Sequence, residues 1–197
     1  MREQLPHEPT ALLLRWIEEA VEAGLAVPHA ATIATADASG TPSARTLLLK
    51  DVDDRGLWFA SVASSRKGLE LSDRPWAELV FHWREFGRQL RFAGPVVPGD
   101  RTISDEDFRA RGMPARAGVL AGRQGSPRGD ASAAEARLEA ARHALERQPQ
   151  LTSRDWQAYV LSPRHADVLQ LRGHGEPLCF AYERGADGGW ALTELWP

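Results

Sequence analysis

The first periodic segment of the chain has helical spacing. Over residues 10–23 an apolar stripe recurs every three to four positions, and its members are Leu13, Trp16, Ile17, Ala20 and Val21. A stripe of this width predicts an amphipathic helix that packs against a core. Gly24 and Pro28 predict where that helix ends.

From residue 29 onward the pattern changes to alternation, which predicts strands. In residues 77–83, Leu79, Phe81 and Trp83 occupy every second position, and residues 88–97 continue the pattern after a turn. Such pairs are typical of half-buried antiparallel hairpins. We expect five to eight strands in meander order, drawn from segments 29–36, 42–51, 57–62, 77–83, 88–97, 156–162, 166–171, 178–182 and 190–195.

Helical spacing returns in the middle of the chain. Residues 104–111 predict a short helix, and Ser132 with Glu135 predicts a capping box at the start of a longer one. We therefore expect a helical insertion at about 104–147. Strands and helices do not alternate along the chain, which favours a mainly β fold with peripheral helices, a small antiparallel barrel, over any α/β fold. The length suits a single domain over residues 1–197.

Composition argues against several classes of protein and site. A net charge of −3 and a pI near 6.1 argue against nucleic-acid binding. Cys179 is the only cysteine, which excludes an intrachain disulfide framework and a cysteine-based zinc site. His165 and His174 could approach across a hairpin, but two histidines without a third ligand make a weak metal site, so we expect no metal. Neither a membrane span nor a signal peptide is evident, and we expect a cytoplasmic protein.

Residues 64–68 carry an electrostatic conflict. Ser64 or Ser65 would cap a helix, yet Arg66 and Lys67 follow at the end where the helix dipole is positive and acids are favoured. An anion bound there would remove the conflict. Lys67 is also one of only two lysines among 24 basic residues, and a flexible ammonium suits a phosphate contact. A solvent-exposed pair that tolerates the dipole is the alternative.

A second pair of cations lies in one predicted strand. Arg45 and Lys50 are five residues apart, so in a regular strand they point to opposite faces. One ligand meets both only at a strand end, at a bulge or between two subunits. Two unrelated surface cations are the alternative.

Taken together, these segments resemble the pyridoxamine 5′-phosphate oxidase family of flavoproteins. The matching segments keep the family's order from about residue 9 to the C-terminus, and they are residues 42–50 (PSARTLLLK), 55–56 (RG), 65–68 (SRKG), 81–83 (FHW) and 87–91 (GRQLR). The resemblance implies a split β-barrel that forms a homodimer and binds FMN between its subunits. A site between subunits would also bring Arg45 and Lys50 to one ligand.

The resemblance implies a cofactor site, position by position. The implied FMN contacts are Arg45, Thr46, Leu47, Leu48, Lys50, Ala60, Ser61, Arg66, Lys67, Gln89, Gln124 and Gly125. Among them, Arg66 and Lys67 would bind the FMN phosphate, and Gln89 would lie near the isoalloxazine ring. Lys50 and Arg111 match two of the residues with which the family holds the substrate phosphate.

The departures from the family fall in the substrate site. Asp107 stands where the family has a tyrosine and Ala115 where it has a serine, and an aspartate there would repel a phosphate. Near the C-terminus, the family's substrate-binding arginine and histidine and its flavin-facing tryptophan and second arginine are replaced by Gly175, Pro177, Leu169 and Cys179.

The resemblance implies an FMN-dependent oxidase, in which a hydride passes from the substrate to flavin N5 and O2 reoxidises the flavin to give H2O2. The substrate would be pyridoxamine or pyridoxine 5′-phosphate or another ring compound, as for family members in phenazine biosynthesis. A flavin-binding protein without vitamin B6 oxidase activity, whether carrier, sensor or degenerate paralogue, is the alternative. No residue can be assigned as a catalytic acid or base.

Overall fold

The computed structural model describes residues 5–122, 124–173 and 175–197. In chain order the elements are α1 (Pro9–Glu22), β1 (Ala30–Ala36), β2 (Pro42–Leu48), β3 (Asp51–Asp53), β4 (Gly56–Val62), α2 (Arg66–Asp73), β5 (Trp76–Trp83), a 3-10 turn (Arg84–Phe86), β6 (Arg88–Pro98), α3 (Arg101–Ala110), α4 (Met113–Ala121), α5 (Ala131–Arg147), β7 (Trp156–Leu161), β8 (His165–Arg172), β9 (Gly175–Arg184) and β10 (Trp190–Leu195).

The strands pair antiparallel throughout and curl into a half-barrel. Seven of them follow the order β10-β9-β8-β6-β5-β1-β2, and β7 joins β4 and β3 to the end of β6. The long strand β6 makes this possible, because its residues 88–95 pair with β5 and β8 whereas residues 96–98 pair with β7. Gly94 lies at this change of partner, where a Cβ would stand 2.2 Å from the Ser162 carbonyl oxygen. The predicted split barrel is confirmed, with ten strands in the described residues rather than five to eight.

Alternating side chains fill the interior of the barrel. Ile33, Leu79, Phe81, Leu90 and Phe92 are fully buried, as a half-buried sheet requires. Helix α1 covers the open side of this core. The ring of Trp16 in this helix packs edge-on against that of Trp83, with centroids 5.8 Å apart.

The predicted stripe of α1 is correct at Leu13, Trp16 and Ala20, all of which are buried. It is wrong at Val21, which is 59 % exposed, whereas Leu12 is fully buried. The buried face is therefore rotated toward the N-terminal side of the stripe. None of the helices in the described ranges is long and apolar enough to cross a bilayer.

The central helices differ from their predicted bounds. Helix α3 begins at Arg101, and α4 fills a stretch for which no helix was predicted. The predicted capping box at Ser132 is wrong, because α5 begins at Ala131, two residues earlier than a Ser132 cap implies. Asp130 caps the helix and accepts a hydrogen bond from the Ala133 N–H at 2.8 Å. A carboxylate at this position also complements the helix dipole, which a serine hydroxyl cannot do.

The predicted strand 42–51 is interrupted. Strand β2 ends at Leu48, and the chain then crosses from one part of the sheet to the other. The Leu49 N–H still donates to the His29 carbonyl at 3.0 Å, but the Lys50 N–H donates to Trp58 of β4 at 2.8 Å. Residues 45 and 50 therefore belong to different backbone environments.

Candidate functional site

A cavity of about 930 Å³ lies between β2, β4 and the two helices α4 and α5. Most of the residues predicted for the cofactor and the substrate line it together. They are Arg45, Thr46, Leu47, Leu48, Lys50, Ala60, Ser61, Lys67, Arg111 and Gln124. Ala115, which replaces a serine of the family's substrate site, lines it as well. We call this space the main cavity.

The end of β2 explains how Arg45 and Lys50 reach one cavity. Their odd spacing would separate them in a continuous strand. Since β2 ends at Leu48, Lys50 is free to turn toward the same side as Arg45. Of the three arrangements that the sequence left open, the structure adopts the strand end, within a single chain.

The start of α2 is fixed by side chains from both sides. Ser65 is the N-cap, and its hydroxyl donates to the Val62 carbonyl at 2.6 Å. The Ser64 N–H donates to Asp155 Oδ1 at 2.8 Å, so a carboxylate from a distant segment lies beside the positive end of the helix. Gly68 is required for this close packing, because a Cβ there would lie 2.1 Å from the Ala63 carbonyl oxygen.

Lys67 is the cation that α2 directs into the main cavity. The residue is only 7 % exposed, and its Nζ donates to Ser61 Oγ at 2.8 Å and to Ser65 Oγ and Gln124 Oε1 at 3.3 Å each. Within the described ranges it forms no ion pair. Burial, with Arg45 nearby, lowers the pKa of the ammonium, and Glu70 acts in the opposite direction. A buried ammonium held only by neutral groups is an anion site in electrostatic terms.

Arg66 points elsewhere. Its side chain is 64 % exposed, and its Nε donates to Glu70 Oε1 at 2.8 Å, one helical turn along α2. It lines a smaller neighbouring cavity of about 360 Å³, which also includes Gly125. Gln124 lines both cavities. The structure therefore does not bring Arg66 and Lys67 together as one clamp.

Glu70 organises the cations of this region. It is 3 % exposed and accepts hydrogen bonds from four side chains, those of Thr35, Ser43, Arg45 and Arg66. Burial by itself would raise the pKa of this carboxyl, but the hydrogen bonds outweigh burial and lower the pKa to about 2. Arg45 lies at the cavity wall with its NH2 group 3.2 Å from Glu70 Oε2. Its charge is thus largely neutralised.

A second cluster of oppositely charged side chains lies on the α3 side of the main cavity. Lys50 Nζ is 3.0 Å from Asp107 Oδ1, and Trp156 Nε1 donates to Asp107 Oδ2 at 2.8 Å. The guanidinium of Arg111 stacks on the Trp156 ring, 4.0 Å from its centroid. Burial lowers the pKa of Arg111, and Asp107 partly opposes that shift.

The remaining predicted positions lie on the other side of the sheet. Gln89 pairs with Leu169, and Leu169 pairs with Cys179, so the three form one row across β6, β8 and β9. All three are half-buried, whereas the adjacent row Leu90, Val168 and Phe180 faces the core. None of the row lines the main cavity. We call residues 89, 169 and 179 the Gln89 row.

Gly175 and Pro177 lie at the start of β9, beyond the Gln89 row. His165 of β8 contacts Asp167 and Glu183, with Nε2 and Nδ1 at 2.9 and 2.6 Å from their oxygens. The proposed partner His174 lies outside the described residues. The two histidines therefore provide no evidence for a metal site.

Four parts of the site were not predicted from the sequence, and they are Glu70, Asp155, Trp156 and helix α4. Glu70 has a detectable signal, since it lies four residues after Arg66 in a predicted helix. Asp155 and Trp156 have none, because they approach the cavity only through the pairing of β7 with β4. Helix α4, which carries Ala115, Gly118 and Val119 of the wall, has no apolar period strong enough to predict it.

The fold and the cavity define a split barrel whose wall carries the cations expected for a phosphorylated cofactor. Comparison with known proteins agrees, since the family model described as pyridoxamine 5′-phosphate oxidase matches residues 17–145. The chain belongs to the pyridoxamine 5′-phosphate oxidase family, which confirms the resemblance found in the sequence.

Several relatives cover nearly the whole chain. A pyridoxine/pyridoxamine 5′-phosphate oxidase of Acaryochloris marina is 36% identical over 92% of this chain and 83% of the relative. One of Gluconobacter oxydans is 34% identical over 98% of this chain and 96% of the relative. The structure of PhzG from Burkholderia lata in complex with tetrahydrophenazine-1-carboxylic acid matches with a TM-score of 0.92 at 31% identity, covering 99% of this chain and 95% of that one.

Proposed function

We propose that this chain is an FMN-dependent oxidoreductase of the oxidase type that acts on a ring compound in the main cavity. The observation that carries the proposal is Lys67, a buried ammonium at the wall of a 930 Å³ cavity with no carboxylate in contact among the residues described. Such a charge is costly unless an anion completes the site. Membership of the family supports a flavin phosphate as that anion.

The other lining residues fit the same cofactor. Ser61 and Gln124 already orient the ammonium and offer further polar atoms, and Arg45 adds a guanidinium at the wall. The run Thr46 to Leu48 supplies backbone and apolar surface from β2. When bound, FMN supplies a hydride acceptor, and with O2 as the electron acceptor each turnover takes one hydride and one proton from the substrate and yields H2O2. The chain provides binding, orientation and exclusion of water.

We further propose that two copies of the chain complete the site. The Gln89 row lies outside the main cavity of its own chain, and its members are the positions that the resemblance places beside the flavin. A second copy would present this half-buried row to the main cavity of the first. The predicted single domain would then act as half of a symmetric dimer with two sites. A monomer that binds FMN with undiminished affinity would contradict this arrangement.

A second candidate is a flavin-binding protein that does not oxidise vitamin B6. Two features favour it over a B6 oxidase. Asp107 forms an ion pair with Lys50, which is a predicted substrate contact, and so neutralises its charge. The Gln89 row carries Leu169 and Cys179, which lack the donor groups of the residues that the family has there.

One experiment separates these candidates. The protein is purified, its visible absorbance is recorded for a bound flavin, and it is mixed anaerobically with pyridoxamine 5′-phosphate. Bleaching of the flavin band is expected for a B6 oxidase, whereas a bound flavin that stays oxidised excludes B6 turnover and leaves another ring substrate or a carrier. A colourless protein that takes up no added FMN would contradict the cofactor proposal itself.

A further inference from the structure

We propose that Lys50, Arg111 and Trp156 in the wall of the main cavity, together with Asp107, which pairs with Lys50, select a ring substrate with a single carboxylate and reject one with a phosphate. The inference rests on the proposed function, because it assigns the substrate class of the same cavity. We call these four residues the Asp107 wall.

The charge of Lys50 is neutralised by Asp107. Its Nζ lies 3.0 Å from Asp107 Oδ1, so the two charges largely cancel. The carboxylate cannot swing away easily, because Trp156 Nε1 donates to its other oxygen at 2.8 Å. Asp107 is well shielded, with 16 % of its side chain exposed, which strengthens the pairing. Lys50 is therefore not available as a free cation for a substrate.

Arg111, in contrast, retains its positive charge. The guanidinium lies flat on the Trp156 ring at 4.0 Å from the centroid, and among the described residues it has no ion pair. Its Nε is buried without a hydrogen-bond partner. Arg111 also lines the main cavity. A planar guanidinium fixed by stacking and lacking an acid is suited to a carboxylate, whose two oxygens match the two parallel N–H donors.

The wall can balance one negative charge of a substrate but not two. A phosphate monoester carries between one and a half and two negative charges near neutral pH. Arg111 offers one positive charge, and the other cation of the wall, Lys50, is already paired. A dianion would also bring its second charge toward Asp107. Ala115, at the wall beside Arg111, offers no hydroxyl to a phosphate oxygen.

The other charged groups that line the cavity lie outside the Asp107 wall. Arg128 pairs with Glu135 at 3.6 Å, and Arg137 is exposed and donates to the Arg128 carbonyl. Both belong to the α5 side of the cavity. Lys67 and Arg45 lie at the α2 side, where the cofactor phosphate is proposed. The Asp107 wall thus presents one uncompensated cation to a substrate.

The test uses a matched pair of ligands, 1-naphthoate and 1-naphthyl phosphate. They share one ring system and differ only in the anionic group. Each is titrated into FMN-loaded protein at about pH 8, where the phosphate is a dianion, and binding is followed by calorimetry and by perturbation of the flavin spectrum. We expect the naphthoate to bind at least about tenfold more tightly, as the loss of one charge-assisted contact implies. Equal affinity, or tighter binding of the phosphate, would overturn the proposal.

The variant Asp107→Asn sharpens the test. It keeps the shape and the acceptor for Trp156 while freeing Lys50, so the preference for naphthoate should fall about tenfold or reverse. Asp105→Asn is the matched control, since Asp105 lies on the same helix and pairs with Arg101 at 2.7 Å instead of with the wall. It should leave both affinities unchanged. An Asp107→Asn protein that keeps the full original preference would show that Asp107 does not set it.

Failure of the proposed function gives a different result. A protein that takes up no FMN contradicts the cofactor proposal. The ligand pair is then titrated by calorimetry into the flavin-free Lys67→Met variant, which lacks the other cation suited to a phosphate in the same cavity. The Asp107 wall belongs to the chain itself, so the naphthoate preference is expected there too. Its absence would overturn the substrate inference independently of the cofactor.

Discussion

The main cavity has two walls, each of which combines several cations with one carboxylate, and the two walls use different side chains. On the α2 side the buried acid Glu70 pairs with two arginines, Arg45 and Arg66, and among the residues described Lys67 has no acid in contact. On the α3 side Asp107 pairs with Lys50, and Arg111 remains. Each wall therefore uses one carboxylate to neutralise some of its cations and leaves one cation for a ligand.

The kind of cation that remains differs, and this difference indicates the ligand. Lys67 is a compact ammonium surrounded by hydroxyls and an amide, which suits the tetrahedral oxygens of a phosphate. Arg111 is a planar fork held flat on an indole, which suits a planar carboxylate. Counting cations along the sequence treats them as equal, whereas the contacts show which of them are free to bind.

The largest effect is expected from Lys67→Met, which removes the free cation of the α2 wall and nearly keeps its volume. FMN should bind about 100-fold more weakly, because one strong charge-assisted contact is worth up to about 3 kcal/mol. The dissociation constant is measured by quenching of flavin fluorescence.

The matched control is Arg66→Met on the same helix. Arg66 is exposed and already paired with Glu70, so its loss should weaken FMN binding by less than about tenfold. If the two variants lose equal affinity, the contrast between a free and a neutralised cation is wrong, and Arg66 contacts the phosphate as directly as Lys67 does.

A second effect, on stability, is expected from Glu70→Gln. The amide cannot pair with both Arg45 and Arg66, so the free energy of unfolding should fall by about 2 kcal/mol at neutral pH. The pKa of Glu70 is about 2 in the folded chain against an ordinary 4.5. Its ionised form therefore stabilises the fold fully above pH 4.5, and that contribution is lost as the pH falls toward 2.

The measurement is urea unfolding of both proteins over a pH series. The difference between wild type and Glu70→Gln should be largest at neutral pH and should shrink below pH 4.5. A difference that stays constant down to the acid limit would mean that the amide disturbs packing and that the ionised carboxylate is not the source of the stability. Asp73→Asn, an exposed change on the same helix, should alter neither value measurably.

The barrel was predictable because alternation is a local signal. Residues such as Leu79, Phe81 and Phe92 are buried and alternate with more exposed neighbours, as the period predicts. The exact bounds were less predictable, since β2 ends at Leu48 where the backbone changes partner and the Lys50 N–H donates to Trp58 of β4. Helix α4 depends in the same way on its packing against α5, through Ala117 and Ala141.

The cavity wall was predictable only as a set of positions. Arg45, Lys67 and Gln124, which the resemblance assigns to one ligand, line one cavity, whereas Arg66, which it assigns to the same contact as Lys67, lines a neighbouring one. Charge pairing is decided by side chains that meet through tertiary structure, as Asp107 and Lys50 do from segments 57 residues apart in the chain. No local pattern in the sequence reports such a pairing.

The smallest effect is expected from Trp156→Phe in the α3 wall. The phenyl ring can still stack under Arg111, but the N–H donor that holds Asp107 is lost. Asp107 then gains freedom to approach Arg111, which would compensate part of the one free charge. We expect 1-naphthoate to bind about threefold more weakly, a fraction of a neutral hydrogen bond, with FMN affinity unchanged.

The size of the loss distinguishes two roles of Trp156, which are to hold Asp107 through its N–H and to contact the ligand through its ring. Calorimetric titration of 1-naphthoate into the FMN-loaded variant gives the affinity, and Trp58→Phe serves as the control, because that ring stacks under Arg55 away from the cavity. A loss of tenfold or more would mean that the indole ring itself contacts the ligand, and the wall would then recognise the substrate by stacking as well as by charge. An unchanged affinity would mean that Lys50 alone is sufficient to hold Asp107 away from Arg111, which makes the lysine pair, and not the indole, the element that keeps this wall singly charged.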